Sequence, residues 1–437
     1  MPHGKRTHQS TRRRFIEAVG VAGAVGLAGC GGTSGSGGDG EAAGDAGGGS
    51  GMELSYHTLF VGGDGSVMKS IVEEFNETQP VGDVTISRQR SPWEEYYNQL
   101  FTSMAGGNAP DLAISHATYI PRFQDTLVDI SDYTTTTDGY VEKIFSACQL
   151  DGGLYALPMD THPVGLYINQ DILDQVDAEP PFEDFAEFEA TCNAIRDETD
   201  ALPFGPSPVD GLSVREWYTS VSSMGGSMFT EDNSEAVFDQ GAGLDAAKYY
   251  HSVSGERNWD RADTSEERVL QSFLNGSVAM MVNGTWGVAD MADVEFNWNF
   301  APPRITPNAD RLRAATDSHT LVVPTQPDGT DERYQKAVEA AQWITQKNPE
   351  WGTKAGHVPA WNPILEGDQL QSSDLWDQTL KYYTDMAQNG QLAYFPQLAN
   401  ADFYDASNWN WIRQLYGHQL GPEEAVSKGV ETWNSNL

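Results

Sequence analysis

Residues 54–76, LSYHTLFVGGDGSVMKSIVEEFN, contain the pattern that decides the fold. Apolar or bulky residues occupy alternate positions at the start, as in a half-buried strand, at Leu54, Tyr56, Thr58 and Phe60. Residues 62–65 are rich in glycine and predict a turn. Apolar residues then recur with helical spacing up to Phe75, and Gln79 before Pro80 predicts the helix end. The stretch therefore predicts a strand, a turn and a helix.

The same alternation continues further along the chain. Residues 84–87 predict a second strand, residues 93–104 a second helix and residues 112–115 a third strand. Strands that alternate with helices indicate a parallel α/β sheet. Because ligands bind beyond the carboxyl ends of such strands, we expect the turn at 62–65 and the residues after Ser115 to border one crevice.

The length of the chain predicts more than one folding unit. Roughly 385 residues follow residue 51, too many for a single hydrophobic core and about right for two lobes. Cys148 and Cys192 have no metal-like spacing around them. They could form a disulfide, although two thiols in a chain of this length are more often buried and free.

The N-terminus carries the features of an export signal. Arg12 to Arg14 precede a short apolar run, residues 19–28, which is well below the roughly 20 residues that span a bilayer. The segment resembles a twin-arginine signal ending in a lipobox, with Glu17 where the usual pattern has Lys. The resemblance implies removal of residues 1–29, a lipid on Cys30, a flexible linker over residues 30–51 and a location on the extracellular face of the membrane.

The charge balance excludes some partners. The chain has 26 Lys plus Arg against 63 Asp plus Glu, a formal net charge of −37, and residues 1–29 hold five of the basic residues but only one acid. Nucleic acid and anionic lipid surfaces are therefore not expected partners. Only nine residues are Lys, and such an acidic, Lys-poor composition resembles that of exported proteins from salt-loving archaea. At molar salt the Debye length is about 3 Å, which screens the internal repulsion.

Aromatic residues predict the chemistry of the ligand. The chain has 12 Trp, 17 Tyr and 17 Phe, and several tryptophans stand beside Gly, Asn or Asp in segments that read as loops. An indole ring covers the C–H face of a sugar, which contributes about 2 kcal/mol per face. We therefore predict a neutral, polar, ring-shaped ligand and the following candidate binding residues: Trp93, Trp217, Trp286, Trp361, Trp409 and Trp411.

Six sequence fragments, in order, are similar to the extracellular solute-binding proteins of ABC importers, in the branch of maltose-binding and glycerol-phosphate-binding proteins. The likeness covers nearly all of residues 52–437. The fragments lie at residues 74–80, 106–111, 157–169, 273–286, 321–324 and 334–346.

This resemblance implies a type II periplasmic-binding-protein-like fold, with two α/β lobes and a ligand cleft between them. Residues 52–158 plus 321–363 would form lobe I, and residues 159–318 plus 364–437 would form lobe II. The implied function is capture of an extracellular carbohydrate by lobe closure and its delivery to a membrane permease. No catalysis and no cofactor are expected, and the protein would act as a monomer.

The resemblance also assigns candidate roles. Trp286 matches the stacking Trp of the family, Trp409 or Trp411 matches an aromatic residue at the mouth of the second lobe, and Trp93 lies where related sugar binders place a first-lobe aromatic residue. Polar groups at the expected turns and crossings would contact the sugar hydroxyls, and these are Asp64, His116, Asp160, His162 and His319.

Alternative functions remain open from the sequence. A metal site is not expected, because His57, His116, His162 and His319 come from separate segments without paired spacing. A surface-anchored glycan-active enzyme could use paired carboxylates such as Glu94 with Asp160, although no hydrolase motif is present. A binding protein for glycerol phosphate or another polyol, or a surface adhesion protein with this fold, would also fit.

Overall fold

The structure is a computed structural model that describes residues 51–207, 210–262 and 266–437. The predicted signal over residues 1–29, Cys30 and the linker up to residue 50 lie outside the described residues. Within the described part of the chain, no helix combines the length and the apolar character needed to cross a membrane.

The strands are short and spread along the whole described chain. They are β1 (Met52–Thr58), β2 (Val84–Arg90), β3 (Leu112–His116), β4 (Gln149–Leu150), β5 (Gly153–Leu154), β6 (Ala156–Pro158), β7 (Asp160–Thr161), β8 (Val164–Asn169), β9 (Leu202–Gly205), β10 (Val278–Gly284), β11 (Trp298–Ala301), β12 (Ala314–Thr316), β13 (His319–Val322), β14 (Val358–Pro359) and β15 (Leu392–Tyr394).

Helices of very different length connect these strands. They are α1 (Gly63–Thr78), α2 (Trp93–Ala105), α3 (Ile120–Phe123), α4 (Glu142–Ser146), α5 (Gln170–Leu173), α6 (Phe185–Glu198), α7 (Asp210–Ser223), α8 (Ala242–Val253), α9 (Glu266–Leu274), α10 (Asp331–Lys347), α11 (Glu350–Thr353), α12 (Asn362–Leu365), α13 (Asp368–Gln371), α14 (Lys381–Gln388), α15 (Ala406–Tyr416) and α16 (Pro422–Asn434). A 3-10 segment, Thr285–Asp293, follows β10.

The first lobe is built on a five-stranded sheet with the order β2-β1-β3-β13-β6. β1 runs parallel to β2 and β3, whereas β13 runs antiparallel to β3 and β6. The predicted strands at 84–87 and 112–115 and the predicted helix at 93–104 are confirmed, whereas the strand predicted at 54–60 already ends at Thr58. The sheet is mixed rather than parallel throughout, because β13 enters it from a later part of the chain. Its core draws on residues 54–159 and 321–364, including the apolar face of α1 around Ile71 and Phe75.

The glycine-rich segment differs from its prediction. Residues 63–65 form the first turn of α1 rather than a separate turn, because the helix begins directly at Gly63. Gly65 faces the end of the preceding strand, where an added Cβ would lie 2.6 Å from the carbonyl oxygen of Phe60. The glycine therefore permits the close packing of the helix start on the strand end.

The second lobe is built on a four-stranded sheet with the order β11-β8-β10-β9. Its main core contains apolar side chains of β8, α6, α7, α8, α15 and α16. A smaller core lies between β8, β10, β11 and the helices that follow residue 364. Cys148 lies in the first core and Cys192 in the second, and both are free and buried, so the disulfide alternative is wrong.

The chain passes between the two sheets at neighbouring places. β7 connects β6 of the first sheet to β8 of the second, and residues 317–318 connect β12 to β13 of the first sheet. β14 pairs antiparallel with β7, with Pro359 opposite Asp160. We call β7, residues 317–318 and β14 the crossing segments. Side chains on these segments lie at the base of the region between the lobes.

Candidate functional site

Aromatic side chains of both lobes meet beside the crossing segments. We call this region the interlobe face and define it by Trp93, His116 and Tyr119 of the first lobe and Arg215, Trp286 and Tyr404 of the second. Trp93 lies edge-on to Tyr404, with ring centroids 5.2 Å apart, and 5.1 Å from His116. Trp93, Trp286 and Tyr404 are partly exposed. These three rings therefore retain surface that a ligand can contact.

Local sequence explains how Trp286 reaches this face. Its indole folds back over Gly284, where an added Cβ would collide with the ring. Tyr167 Oη donates a hydrogen bond to the carbonyl oxygen of Gly284 at 2.7 Å. The glycine and this hydrogen bond fix the backbone at the end of β10 and hold the indole at the edge of the second lobe.

Arg215 of α7 lies almost entirely buried among the aromatic rings, with 5% of its surface exposed. Its guanidinium carbon is 5.0 to 5.4 Å from the ring centroids of Tyr404, Trp286 and Phe395. Nη1 donates to the carbonyl oxygen of Gly211 at 2.8 Å, and Nη2 donates to Tyr404 Oη at 3.0 Å. The guanidinium group therefore orders the second-lobe side of the interlobe face.

Asp317 connects this side to the first lobe. Its Oδ2 accepts hydrogen bonds from Tyr404 Oη at 2.7 Å and from Thr118 Oγ1 at 2.5 Å. Burial raises the pKa of Asp317, although the hydrogen bonds from Thr118 and Tyr404 act in the opposite direction. The carboxyl group thus joins two lobes and one crossing segment.

Asp64 lies at the opposite end of the region, in the first turn of α1. This helix packs against the 3-10 segment of the second lobe. Burial raises the pKa of Asp64, while His319 lowers it and Asp290 raises it further. The predicted polar residue is therefore a partly buried carboxyl group between the two lobes.

Asp160 is the centre of a buried hydrogen-bond network on the first crossing segment. It is fully buried. Its oxygens accept hydrogen bonds from Trp351 Nε1 at 2.7 Å and from the backbone N–H of His319 at 3.0 Å, and lie 2.8 Å from His319 Nδ1 and 3.1 Å from His162 Nδ1. Burial alone would raise the pKa of Asp160, but His319, His357 and the hydrogen bonds hold it well below its usual value.

Four imidazole rings surround this carboxylate. The rings of His162 and His319 stack at 4.1 Å, His116 lies 4.8 Å from His319, and His357 lies 5.4 Å from His319. Burial lowers the pKa of His116 and His162 well below the usual value and lowers the pKa of His357 to about 4. These three imidazoles are therefore neutral at neutral pH.

His116 is hydrogen-bonded to Tyr97 through both its backbone and its ring. Tyr97 Oη accepts the backbone N–H of His116 at 2.8 Å and lies 2.6 Å from His116 Nδ1. The Oη–Nδ1 contact engages one ring nitrogen of His116, and the donor depends on which nitrogen of the neutral imidazole carries the proton. His57, by contrast, lies outside the cluster and is hydrogen-bonded to Ser91 Oγ at 2.9 Å.

Three of the predicted ligand-binding tryptophans belong to the second-lobe core. Trp217, Trp409 and Trp411 are buried there among one another and Phe238. The indole N–H groups of Trp217 and Trp409 are satisfied by backbone carbonyl oxygens. A ring that presents no free face cannot stack on a sugar, so these three predictions are wrong.

Trp361 is also placed differently from its prediction. It lies in the first-lobe core, with its ring centroid 4.7 Å from that of Tyr140 and its edge directly over Gly139. The prediction of Trp361 as a binding residue is therefore wrong for the same reason. Of the predicted set, the structure brings together Trp93, His116, Asp160, His162, Trp286 and His319, with Asp64 nearby.

Four residues of the region were missed by the sequence analysis: Arg215, Asp317, His357 and Tyr404. Arg215 is one of few basic residues in the chain and lies two residues before Trp217, which was a detectable signal. Tyr404 lies in the aromatic and acidic stretch of residues 402–405. His357 and Asp317 carry no local sequence signal, because only the packing of the crossing segments brings them to the region.

The carboxylate pair considered for an enzyme does not form a site. Glu94 is exposed on α2, whereas Asp160 is fully buried and already engaged by indole, imidazole and backbone groups. General acid and base catalysis needs two carboxyl groups that both reach the substrate. This arrangement does not provide them.

Comparisons with known proteins agree with the fold. The chain is 25% identical over 262 residues to the maltotriose-binding protein of Pyrococcus abyssi, covering 58% of this chain and 54% of that protein. It is 23% identical over 325 residues to the maltodextrin-binding protein of Bacillus subtilis, covering 69% and 72%. The chain thus spans about half the length of the first of these relatives.

Solved structures give the same result for the fold. The maltose-bound structure of T. maritima MalE3 matches with a TM-score of 0.76 at 16% identity, covering 88% of this chain and all of that chain. The predicted two-lobed, type II periplasmic-binding-protein-like fold is therefore confirmed. The family model described as bacterial extracellular solute-binding protein matches residues 70–350, well over half of the chain, and the chain belongs to this family.

Proposed function

We propose that this protein is the substrate-binding subunit of an ABC-type sugar importer, which holds an extracellular oligosaccharide between its lobes and delivers it to a membrane permease. The observation that carries the proposal is the meeting of Trp93, Trp286 and Tyr404 at the interlobe face, each with part of its ring exposed. The names of the two relatives, for maltotriose and maltodextrin, favour an α-linked glucose oligosaccharide as the ligand.

The chemistry of the interlobe face suits such a ligand. A pyranose ring stacked on an aromatic ring buries its C–H face, for about 2 kcal/mol per face. Two or three such contacts, with hydrogen bonds from hydroxyl groups to Asp64, Asp317 and His116, would support a micromolar complex, which needs about −8 kcal/mol. Because Trp93 and Tyr404 now pack against each other, the sugar would enter between them when the lobes separate.

Contacts between the lobes provide the means of closure. Tyr119 Oη donates to Asp402 Oδ1 at 2.6 Å, and Arg122 pairs with Asp402 at 2.5 Å. Gln397 Nε2 donates to the carbonyl oxygens of Ala117 and Ala147, each at 2.8 Å. We call these contacts the clasp. A ligand that touches both lobes favours the state in which the clasp is formed, because its affinity differs between the open and closed forms.

The lobe boundaries follow the cores. We assign residues 52–158 plus 321–363 to lobe I and residues 159–318 plus 364–437 to lobe II. The two hydrophobic cores support this division, with Met159 as a boundary residue that packs in the first core. Closure would then be a rotation about the crossing segments.

The N-terminal segment and the net charge bear on where the protein is located. The twin-arginine segment and Cys30 support a monomeric lipoprotein on the extracellular face of the membrane, with residues 30–51 as a flexible tether. The net charge of −37 with only nine Lys supports a high-salt environment.

A phosphorylated ligand is less compatible with the interlobe face. Arg215 is the cation in the set of residues that defines this face; aromatic rings cover its guanidinium group, and Nη1 and Nη2 donate to Gly211 and Tyr404. Asp64 and Asp317 place carboxyl groups in the same region. A phosphate needs free cationic donors, so glycerol phosphate is disfavoured.

Calorimetry in molar salt tests the proposal. The purified protein would be titrated with maltotriose, a longer maltodextrin, mannotriose and glycerol 3-phosphate, and the sugars would be recovered and examined for cleavage. We expect binding of at least one oligosaccharide with its covalent structure intact. Cleavage of the sugar, or a heat of binding with glycerol 3-phosphate and none with any sugar, would contradict the proposed function.

A further inference from the structure

Four metal-ligating side chains converge on the crossing segments. They are Asp160 and His162 at the first crossing, His319 at the start of β13 and His357 next to β14. One candidate ligand atom from each lies within 4.8 Å of all the others. All four side chains are buried. Three separate segments of the chain thus contribute to one small polar cluster.

Two of the imidazoles have a nitrogen without a partner. Nε2 of His162 and Nε2 of His357 are buried, and no hydrogen-bond partner for either occurs among the described residues. His162 Nδ1 lies 3.1 Å from Asp160, and His357 Nδ1 lies 3.2 Å from Thr285 Oγ1. Each of these two histidines therefore has a buried nitrogen whose polar character no described group satisfies.

The buried charge of Asp160 also favours a cation. A carboxylate taken out of water is costly unless it is paired or coordinates a metal ion. The groups that hydrogen-bond to Asp160 are the indole N–H of Trp351, the backbone N–H of His319 and imidazole rings, and none of these carries a permanent positive charge. A divalent cation at this position would compensate the carboxylate directly.

We propose that Asp160, His162, His319 and His357 form a binding site for a divalent transition-metal ion, with Zn²⁺ as the best fit. Three imidazole nitrogens and one carboxylate oxygen are a donor set that suits zinc in tetrahedral geometry. Ligand atoms around Zn²⁺ are about 2.0–2.2 Å from the ion and thus about 3.4 Å from one another. Side-chain rotations that move the present atoms by about 1 Å would produce that spacing.

The neighbouring His116 is not part of the site. Its ring contacts His162 and His319, but its Nδ1 is engaged by Tyr97. The site also differs from the sugar contacts of the proposed function, which lie on Trp93, Trp286 and Tyr404. Because the ligands come from the crossing segments, a bound ion would tie these segments together. We expect it to raise the resistance of the protein to thermal unfolding.

Titration with the metal alone tests the site. The purified protein, stripped with a chelator and dialysed, would be titrated with Zn²⁺ in competition with a chromophoric chelator, and separately with Co²⁺ while the visible spectrum is recorded. We expect one Zn²⁺ per chain, a rise in the unfolding temperature and visible Co²⁺ bands of tetrahedral intensity. Lack of stoichiometric binding, or octahedral Co²⁺ bands alone, would overturn the proposal.

Variants locate the ion. His162→Gln and His357→Gln should each weaken Zn²⁺ binding by more than the roughly 10- to 100-fold typical of a group outside the coordination shell. His57→Gln removes another buried histidine of the first lobe and should leave the affinity unchanged. Circular dichroism would verify that each variant is folded, and the wild-type Zn²⁺ and Co²⁺ titrations decide the proposal if a variant does not fold.

A surface histidine pair provides the control for adventitious binding. The rings of His251 and His418 are 4.1 Å apart in the second lobe, away from the crossing segments. Loss of Zn²⁺ binding in the His251→Gln, His418→Gln double variant, with unchanged binding in His162→Gln and His357→Gln, would assign the ion to the surface and overturn the proposal. Sugar calorimetry with and without Zn²⁺ keeps this outcome separate from a failure of the proposed function.

Discussion

Helix α7 contributes to two aromatic clusters that differ in how far their rings are enclosed by apolar side chains. Arg215 lies at the interlobe face against Trp286 and Tyr404, whereas Trp217, two residues later and about 200° around the helix, lies in the core against Trp411. The core cluster is closed on all sides by apolar side chains. The interlobe cluster has partly exposed rings and polar neighbours. The comparison teaches that the surroundings of a tryptophan, rather than its presence, decide whether it stabilises the fold or can bind a ligand.

The largest effect is expected in the core. Trp217→Ala should lower the free energy of unfolding by about 3–5 kcal/mol, because it leaves a large cavity in a fully buried site. Urea denaturation in molar salt would measure the change. Trp376, a partly buried residue outside both clusters, is the matched control, and Trp376→Ala should cost less. Equal losses in the two variants would contradict the contrast between the clusters.

Glu216, between Arg215 and Trp217 on α7, is a fully buried carboxyl group. Burial raises the pKa of its carboxyl group well above the usual value, so the folded state holds a proton that the unfolded state releases. The contribution of Glu216 to the free energy of unfolding is therefore largest below about pH 4.5. It falls by about 1 kcal/mol per pH unit as the pH rises towards the pKa of the folded state.

The variant Glu216→Gln isolates this contribution. Relative to the wild type, its stability should rise with pH above pH 5, by up to about 1 kcal/mol per pH unit while the wild-type carboxyl group stays protonated in the folded state, because glutamine has no proton to lose. Chemical denaturation at several pH values would measure the difference. A constant difference across this range would show that Glu216 does not titrate abnormally.

At the interlobe face the effect should appear in affinity. Trp286→Ala should weaken oligosaccharide binding by about 1–3 kcal/mol, since it removes an aromatic surface for the sugar, and should change stability less than Trp217→Ala does. Calorimetry with maltotriose would measure the affinity, with Trp376→Ala as the control. Unchanged affinity would remove Trp286 from the binding site.

Arg215→Lys tests how the face is ordered. Lysine keeps the charge but loses the planar group that stacks on three rings and bonds Tyr404. We expect oligosaccharide affinity to fall by about 1 kcal/mol through disorder of Tyr404. Calorimetry together with tryptophan fluorescence would detect it, and a gain in affinity would contradict an ordering role.

The smallest effect is expected at the clasp. Asp402→Asn removes the ion pair with Arg122, whose side chains are about one-third exposed, so closure should be weakened by less than about 1 kcal/mol. The difference from the wild type in sugar affinity should shrink further as salt is raised. A large effect at molar salt would show that the pair is shielded from solvent.

The sequence predicted much of this architecture and part of the site. The strand, glycine segment and helix at residues 54–76 were readable because their apolar periods change from two to 3.6. Trp93 and Trp286 were chosen both as loop tryptophans and by resemblance to aromatic positions of solute-binding proteins. Trp217 and Trp361 were chosen because their segments were interpreted as loops, and Trp409 and Trp411 also because one of them matches an aromatic residue of the family.

A helical reading would have corrected three of the four. Along α15, Trp409, Ile412 and Tyr416 recur at helical spacing, and so do Trp411 and Leu415. Val214, Trp217 and Val221 recur in the same way along α7, and all of these side chains are buried. Trp361 gave no such signal, because its burial depends on Tyr140, more than 200 residues earlier. The convergence of His357 with Asp160 is likewise a property of strand pairing, which no local pattern encodes.

The contacts of Gln397 across the lobes should respond little to salt. Its uncharged amide group donates hydrogen bonds to two backbone carbonyl oxygens of the opposite lobe. Salt therefore weakens these hydrogen bonds little, whereas it screens the neighbouring ion pair between Arg122 and Asp402. Each neutral hydrogen bond contributes only about 1 kcal/mol when water competes for it. These contacts therefore stabilise the closed form weakly and almost independently of salt, and under the proposed function most of the stabilisation of that form would come from the bound sugar.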